Sequence, residues 1–332
     1  MQTRQLGNSG PRVSAIGLGC MGMSEVYGHA DESESIATIH AALDAGINLL
    51  DTGDFYGMGA NEMLLRKALQ GRPRSEFLLS VKFGGMRDPS NAFIGFDGRP
   101  NAVKNYLSYS LKRLGTDYVD IYRPSRVDPA VPIEETVGAI ADMVKAGYVR
   151  YIGLSEAGAD TVRRANAVHP IADLQIEYSL FSRGIESSIF PTCRELGVGI
   201  TAYGVLSRGL LSGHWSKGPT ADGRDMRIHM PRFSGDNVDR NLSLVDSLRG
   251  IARSYGCSVA QLAVAWVLSR GSQIVPVVGA RTREQLKETL GATDVVLSAD
   301  GRSLIEEAVP AGSVAGERYA PQQMRTLDSE RD

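Results

Sequence analysis

Ile47-Asn-Leu-Leu-Asp51-Thr-Gly-Asp-Phe-Tyr56-Gly57 runs from an apolar stretch straight into a polar turn, and the same pattern recurs along the chain. Its first part, Ile47–Asp51, shows little polar alternation, which is how a strand buried on both faces reads. Ser14–Gly19, Phe77–Lys82, Tyr118–Tyr122, Val149–Leu154, Ala172–Glu177, Val198–Tyr203 and Gln273–Val277 share this character. Helical patterns separate them. Ile133, Val137, Ile140 and Val144 recur at helical spacing, with Gly147 as the stop. Asp31 and Glu34 read as a cap and its partner, opening a helix that Gly46 closes. Eight such strands alternating with helices predict an α/β fold, a (β/α)8 TIM barrel.

The composition fits. At 332 residues the chain is long enough for two average domains, but barrels reach this size and no low-complexity linker divides it, so 1–332 reads as one domain. The widest gap between strands, before the eighth, holds an insertion, Ser207–Gly256. It comprises a Gly-, Arg- and Met-rich stretch, Ser216–Asp239, and an extra helix, Asn241–Tyr255. The polar tail after Val309 lacks periodicity and reads either as a frayed end or as a flap over the barrel mouth. Hydrophobic residues at 42% and charged ones at 22% exclude a largely disordered chain. A net charge of −2 argues against a nucleic-acid partner. No apolar run approaches the roughly 18 residues that span a bilayer, and the N-terminus lacks a signal-peptide core. Cys20, Cys193 and Cys257 are far apart and odd in number, which fits a reduced, cytoplasmic protein with no metal-binding spacing.

Gly17-Leu-Gly19-Cys-Met-Gly22 fits the G-x-G-x-x-G dinucleotide fingerprint, but the helix that should open at its third glycine starts only near Asp31. A turn at the barrel mouth, with glycines permitting close backbone approach, is the better reading. Barrel enzymes place their chemistry at the C-terminal ends of the strands. Read in order, those ends give Asp51 with Tyr56, then Lys82, Ser125-Arg126, Ser155-Glu156, Gln175 with Glu177, Tyr203, and Gly279-Ala-Arg281. Asp51, Tyr56 and Lys82 form a chemical unit. A lysine cation beside a phenol lowers its pKa, and a buried aspartate orients the lysine, giving a phenol that trades protons. The competing reading is a structural ion pair with a core tyrosine. Three such residues at three strand ends favour chemistry.

Asp51-Thr-Gly-Asp-Phe-Tyr56-Gly57 resembles the D-T-A-x-x-Y-G signature of the aldo-keto reductase superfamily. Leu79-Ser-Val-Lys82-Phe, Gly153-Leu-Ser155, Gln175-Ile-Glu-Tyr178-Ser179, Thr201-Ala-Tyr203-Gly-Val-Leu206 and Val278-Gly279-Ala-Arg281-Thr-Arg-Glu-Gln285-Leu are similar to its further segments, in family order. Arg4–Val13 resembles its N-terminal β-hairpin. The likeness spans about residues 3 to 325, and is greatest to the bacterial branch similar to potassium-channel β subunits. It implies NADPH-dependent reduction of an aldehyde or ketone, a small-molecule carbonyl substrate, without fixing the oligomeric state. Tyr56 would protonate the carbonyl oxygen, tuned by Lys82 and Asp51. Met21, Gly22 and Asp51 would border the cofactor. Ser155 and Gln175 would hold the carboxamide, Tyr203 would stack on the ring, backbone near Leu206, Arg208 and Gly209 would meet the pyrophosphate, and Gly204 and Gly279 would also border the cofactor. Arg281, placed after Gly279, would take the 2′-phosphate, with Arg208 and Arg283 as helpers, and Gln285 and Glu288 the adenine.

One departure matters. The family's catalytic histidine falls at Ser125, within Pro124-Ser125-Arg126-Val127-Asp128-Pro129, and Thr289 stands where asparagine is common. A serine hydroxyl donates one hydrogen bond but is shorter than imidazole, a difference a water can bridge. His29 lies on the loop after the first strand and reads as a surface residue. The rival function is a cofactor-binding sensor or auxiliary subunit with weak chemistry. A hydrolase or lyase using Asp51 and Glu177 as paired carboxylates is a third, disfavoured by Lys82 beside Asp51.

Overall fold

The chain opens with an antiparallel hairpin, β1 (Thr3–Gln5) and β2 (Arg12–Ser14), in a computed structural model that describes residues 1–24, 26–215 and 225–331. Leu6 and Val13 are fully buried against Leu49, Ile121, Val275 and Val277, so the hairpin plugs the barrel's N-terminal end. Arg4 fastens it there, donating to the carbonyls of Leu268, Gly271 and Ile274. The first expected strand, Ser14–Gly19, is therefore split. Ser14 ends the hairpin, and its hydroxyl donates to the Ile16 carbonyl at 2.7 Å, bending the chain before β3 (Gly17–Gly19).

The other strands are β4 (Leu49–Gly53), β5 (Leu78–Phe83), β6 (Gly85–Arg87), β7 (Phe93–Phe96), β8 (Val119–Pro124), β9 (Val149–Ser155), β10 (Ile171–Glu177), β11 (Gly199–Tyr203) and β12 (Ile274–Gly279). All but β6 and β7 join β3 in a closed parallel barrel, ordered β10-β11-β12-β3-β4-β5-β8-β9. All eight sequence-derived barrel strands are thus present. The β6–β7 hairpin on the mouth side was not anticipated, because its two short strands carry neither clean alternation nor a long apolar run.

Around the barrel run α1 (Glu32–Asp44), α2 (Ala60–Leu69), α3 (Pro100–Leu114), α4 (Ile133–Lys145), α5 (Ala159–Val168), α6 (Ile189–Leu196), α7 (Asp236–Ser254), α8 (Val259–Ser269), α9 (Arg283–Leu290), α10 (Ala299–Ala308) and the short α11 (Pro321–Met324). In α4 the helical stripe does what its spacing predicts: Ile133, Val137 and Ile140 are buried. Asp31 caps α1, its carboxylate accepting from Glu34 N at 2.7 Å. Glu34 does not return the bond; its carboxylate is held by Arg283 at 2.9 Å instead. The extra helix α7 starts at Asp236 rather than Asn241. Asp236 and Asp239 favour that first turn through the helix dipole. Buried Asn241 sits within the helix and pins the tail, exchanging hydrogen bonds with Ala315. Of the stretch Ser216–Asp239, residues 216–224 lie outside the described residues.

The fingerprint-like glycines serve the barrel. Gly17–Gly19 is strand, and a Cβ on Gly22 would meet Arg281 Cγ at 3.3 Å, so glycine lets the turn after β3 close on the segment after β12.

Candidate active site

Asp51 and Lys82 project from β4 and β5, and Lys82 Nζ lies 2.5 Å from Asp51 Oδ2, with both side chains almost entirely buried. A pair so desolvated is tolerable only if its remaining lone pairs are satisfied. They are: Asp51 Oδ1 accepts from Ser80 Oγ at 2.9 Å and from Gln175 Nε2 at 2.8 Å. The network continues across the barrel. Arg123, fully buried, donates to Ser80 Oγ and Thr201 Oγ1 and pairs with Asp173 at 3.0 Å. A polar core linked in this way holds its members rigidly.

Tyr56 follows β4 at the start of a kinked turn, Tyr56–Gly59, in which Gly57 and Met58 adopt left-handed φ of +55° and +53°, a conformation that glycine takes without strain. Its ring is 8% exposed, packs edge-on against Phe55 with centroids 4.9 Å apart, and lies 5.1 Å from Lys82 Nζ. Its hydroxyl has no hydrogen-bond partner among the described residues. Burial, aided by the Asp51 charge, holds this phenol well above the ordinary tyrosine value; Arg126 is the cation that opposes the shift. The expectation that Lys82 pulls the Tyr56 pKa down is therefore not met. Desolvation is the larger effect, and the Asp51 charge, 2.5 Å from Lys82, adds to it. The phenol stays protonated at neutral pH.

Ser125 follows β8 at the same end of the barrel. Its backbone N–H donates to the Phe83 carbonyl at 2.8 Å, while its hydroxyl is buried without a partner. Next to it, Arg126 donates to the Ser125 carbonyl at 2.6 Å.

Ser155 and Gln175 sit side by side in the β9–β10 register. The Ser155 hydroxyl is likewise buried and unpartnered, and Gln175, with its amide N–H committed to Asp51, keeps its Oε1 for a ligand donor. This pair matches what a carboxamide requires. After β11, Gly204 has φ +67°, and Ser207, Arg208 and Gly209 have φ of 44°, 54° and 105°. Consecutive left-handed residues other than glycine are costly and mark functional loops. The Arg208 side chain turns away from a phosphate role, pairing with buried Glu177 at 2.9 Å, and Arg283 is taken by Glu34. Among the described residues Arg281 has no such acid within 4.0 Å. Its guanidinium donates to the carbonyls of Tyr27 and His29 on the turn after β3, and its backbone N–H to Gln285 Oε1. Glu288 contacts His214 at 3.2 Å, and Met21, Leu206 and Gly279 line the same rim. Glu177 is held by Arg208 and Arg232, not paired with Asp51, which removes the basis for a two-carboxylate hydrolase.

The tail is the main feature the sequence did not place, and the flap reading of it is the correct one. Arg318 grips Glu156 through Nη1 at 2.9 Å and Nη2 at 2.5 Å, while Glu330 and Ser329 close around the same pair. Glu156 is fully buried with φ +51°, and Arg318 and Arg126 hold its carboxyl well below the usual carboxylate range. Tyr203, the expected ring-stacking residue, gives its hydroxyl to Glu156 at 2.7 Å and meets the Tyr319 hydroxyl at 2.9 Å. Arg318 and Tyr319 were missed because the tail has no periodicity; an Arg-Tyr pair in a polar tail was their one signal.

The Aldo/keto reductase family model matches residues 15–310. A probable aldo-keto reductase from Glycine max is 42% identical over 324 residues, covering 96% of this chain and 92% of its own length. Among solved structures, a glycerol dehydrogenase from Gluconobacter oxydans superposes with TM-score 0.83 at 26% identity, over 99% of this chain and 97% of that one. The holo form of an aldo-keto reductase from Bacillus halodurans gives 0.77 at 30% identity, over 94% and 97%. With the barrel, the buried Asp51–Lys82 pair and Tyr56 in their places, the chain belongs to the aldo/keto reductase family.

Proposed function

We propose that this chain is a cytoplasmic, single-domain, NADPH-dependent reductase of aldehyde or ketone carbonyls. The observation that carries the reading is the Tyr56 hydroxyl, without a hydrogen-bond partner among the described residues, beside the Asp51–Lys82 pair at the barrel mouth. Ser155 and Gln175 would hold a reduced nicotinamide, which would supply the hydride. Tyr56 donates its proton to the carbonyl oxygen, and Lys82, oriented by Asp51, offsets the charge left on the phenolate. The unpaired cysteines, two of them buried, fit a reducing compartment. Steady NADPH consumption with a panel of aldehydes tests the reading. A cofactor-binding sensor with weak chemistry is the second reading, favoured by Ser125 in the histidine position; tight NADPH binding with no aldehyde turnover would establish it.

Among the described residues, preference for NADPH over NADH rests on Arg281, since Arg208 and Arg283 are engaged by acids. One charge-assisted contact to phosphate gives roughly ten- to a hundredfold in affinity. Fluorescence titration of both cofactors checks this; equal affinities, or tighter NADH, refute it.

Ser125 takes the place of the imidazole as a neutral donor toward the carbonyl oxygen, directly or through a water. Ser125→Ala lowers kcat/KM by the worth of one hydrogen bond, about 0.5–1.5 kcal/mol. Ser125→His raises turnover of simple aldehydes. Unchanged kinetics in both variants would place Ser125 outside the site.

A further inference from the structure

We propose that Arg126 is the recognition point for an anionic group, a carboxylate or a phosphate, carried by the carbonyl substrate; this rests on the reductase reading above. Most cations near the mouth are already neutralised. Lys82 holds Asp51, Arg208 and Arg232 share Glu177, Arg318 holds Glu156 and Glu330, and Arg227 holds Asp225. Arg126 and Arg281 differ: among the described residues neither has a carboxylate oxygen within 4.0 Å. They do not serve one ligand group. Arg281 follows β12 and Arg126 follows β8, and in the closed barrel order three strands separate β12 from β8 on either side. The 2′-phosphate assigned to Arg281 is thus across the mouth from Arg126.

Arg126 is half-buried and fixed. Nη1 donates to the Ser125 carbonyl at 2.6 Å, and Nη2 lies 3.5 Å from the Tyr319 hydroxyl. At most two of its five N–H groups are met by the protein. Its charge acts on Tyr56 and Lys82 to one side and on Tyr203, Tyr319 and Glu156 to the other, so it stands between the reacting phenol and the tail. A partly desolvated guanidinium without an acid gains from an oxyanion that it can grip with two parallel N–H bonds. A neutral substrate leaves it unpaired. The competing role, holding the tail through Tyr319, predicts no discrimination by substrate charge.

The test compares kcat/KM for 4-carboxybenzaldehyde with that for 4-formylbenzamide, its neutral isostere, and for 4-formylphenyl phosphate with that for 4-methoxybenzaldehyde. Wild type, Arg126→Met and Arg126→Lys are assayed with NADPH. Wild type favours at least one anion over its neutral counterpart by roughly ten- to a hundredfold, the worth of a charge-assisted contact. The pair with the larger ratio identifies carboxylate or phosphate as the recognised group. Arg126→Met brings the ratio to about one, and Arg126→Lys, with the charge but not the fork, keeps part of it. Equal values for anion and isostere in wild type, or a preference that survives Arg126→Met, overturn the proposal. Turnover of no aldehyde overturns the reductase reading instead. The anion site is then decided by thermal shift of the NADPH-loaded protein with benzoate against benzamide: stabilisation by benzoate alone, lost in Arg126→Met, supports it, and equal response to both ligands rejects it.

Discussion

Tyr56→Phe lowers kcat for aldehyde reduction by about 10²–10⁴-fold, the usual worth of a general acid, while NADPH still binds. The substitution removes one oxygen and nothing else. The ring keeps its edge contact with Phe55 and its place beside Lys82. Because the hydroxyl has no partner among the described residues, its loss orphans no buried group, and stability changes by no more than about 0.5 kcal/mol. A titration experiment accompanies it. Burial and the Asp51 charge hold the wild-type phenol above its ordinary value near 10, so the acid remains protonated and reduction shows no descending limb from Tyr56 between about pH 6 and 9. Stopped-flow turnover and cofactor titration of the variant check both statements. A Phe variant that reduces aldehydes at the wild-type rate would make Tyr56 a core residue and the mechanism wrong.

Arg318→Ala destabilises the protein by about 3–5 kcal/mol, the range for removing one partner of a buried ion pair. Glu156 is fully buried and loses its two-pronged partner, leaving a carboxylate with Tyr203, Ser329 and the more distant Arg126. The site has a way to relieve this: the tail lifts and water reaches Glu156. Part of the cost then shows as local opening, read as faster proteolysis within residues 316–331, and the rest as a lower denaturation midpoint. Adding Glu156→Gln to the Arg318 variant restores much of the loss, because no charge is left unpaired. A stability change below about 1 kcal/mol with an intact tail would show that the pair contributes little. The same carboxylate sets a pH limit. Its folded pKa lies below the unfolded value near 4.3, so its stabilisation is fully present above that pH and is lost as pH falls towards the folded value. Tail release therefore begins below about pH 4 in wild type, which proteolysis across a pH series measures.

The sequence by itself determined the barrel, because each of its eight strands is a short run buried on both faces, and local composition suffices to write such a run. It also determined which side chains stand at the mouth, since the last residue of a parallel barrel strand points to one rim wherever the strand packs. Asp51, Lys82, Ser125, Ser155, Gln175 and Tyr203 were legible on that ground. What those residues do to one another was not, because charge balance, burial and hydrogen bonding are set by neighbours distant in sequence. Burial, aided by the Asp51 charge, pushes the Tyr56 phenol up rather than down. Glu177 turned out to be the anchor of Arg208 and Arg232, across a segment whose turns carry no periodic signal. The tail was undecidable between fray and flap from composition alone, since its order comes from a few long-range bonds to Glu156 and Tyr203 rather than from any repeating pattern. Arg126 shows the same division: its position after β8 was written in the chain, but that no described carboxylate lies within 4.0 Å of it while its neighbours have one emerged only when the strands closed into a barrel.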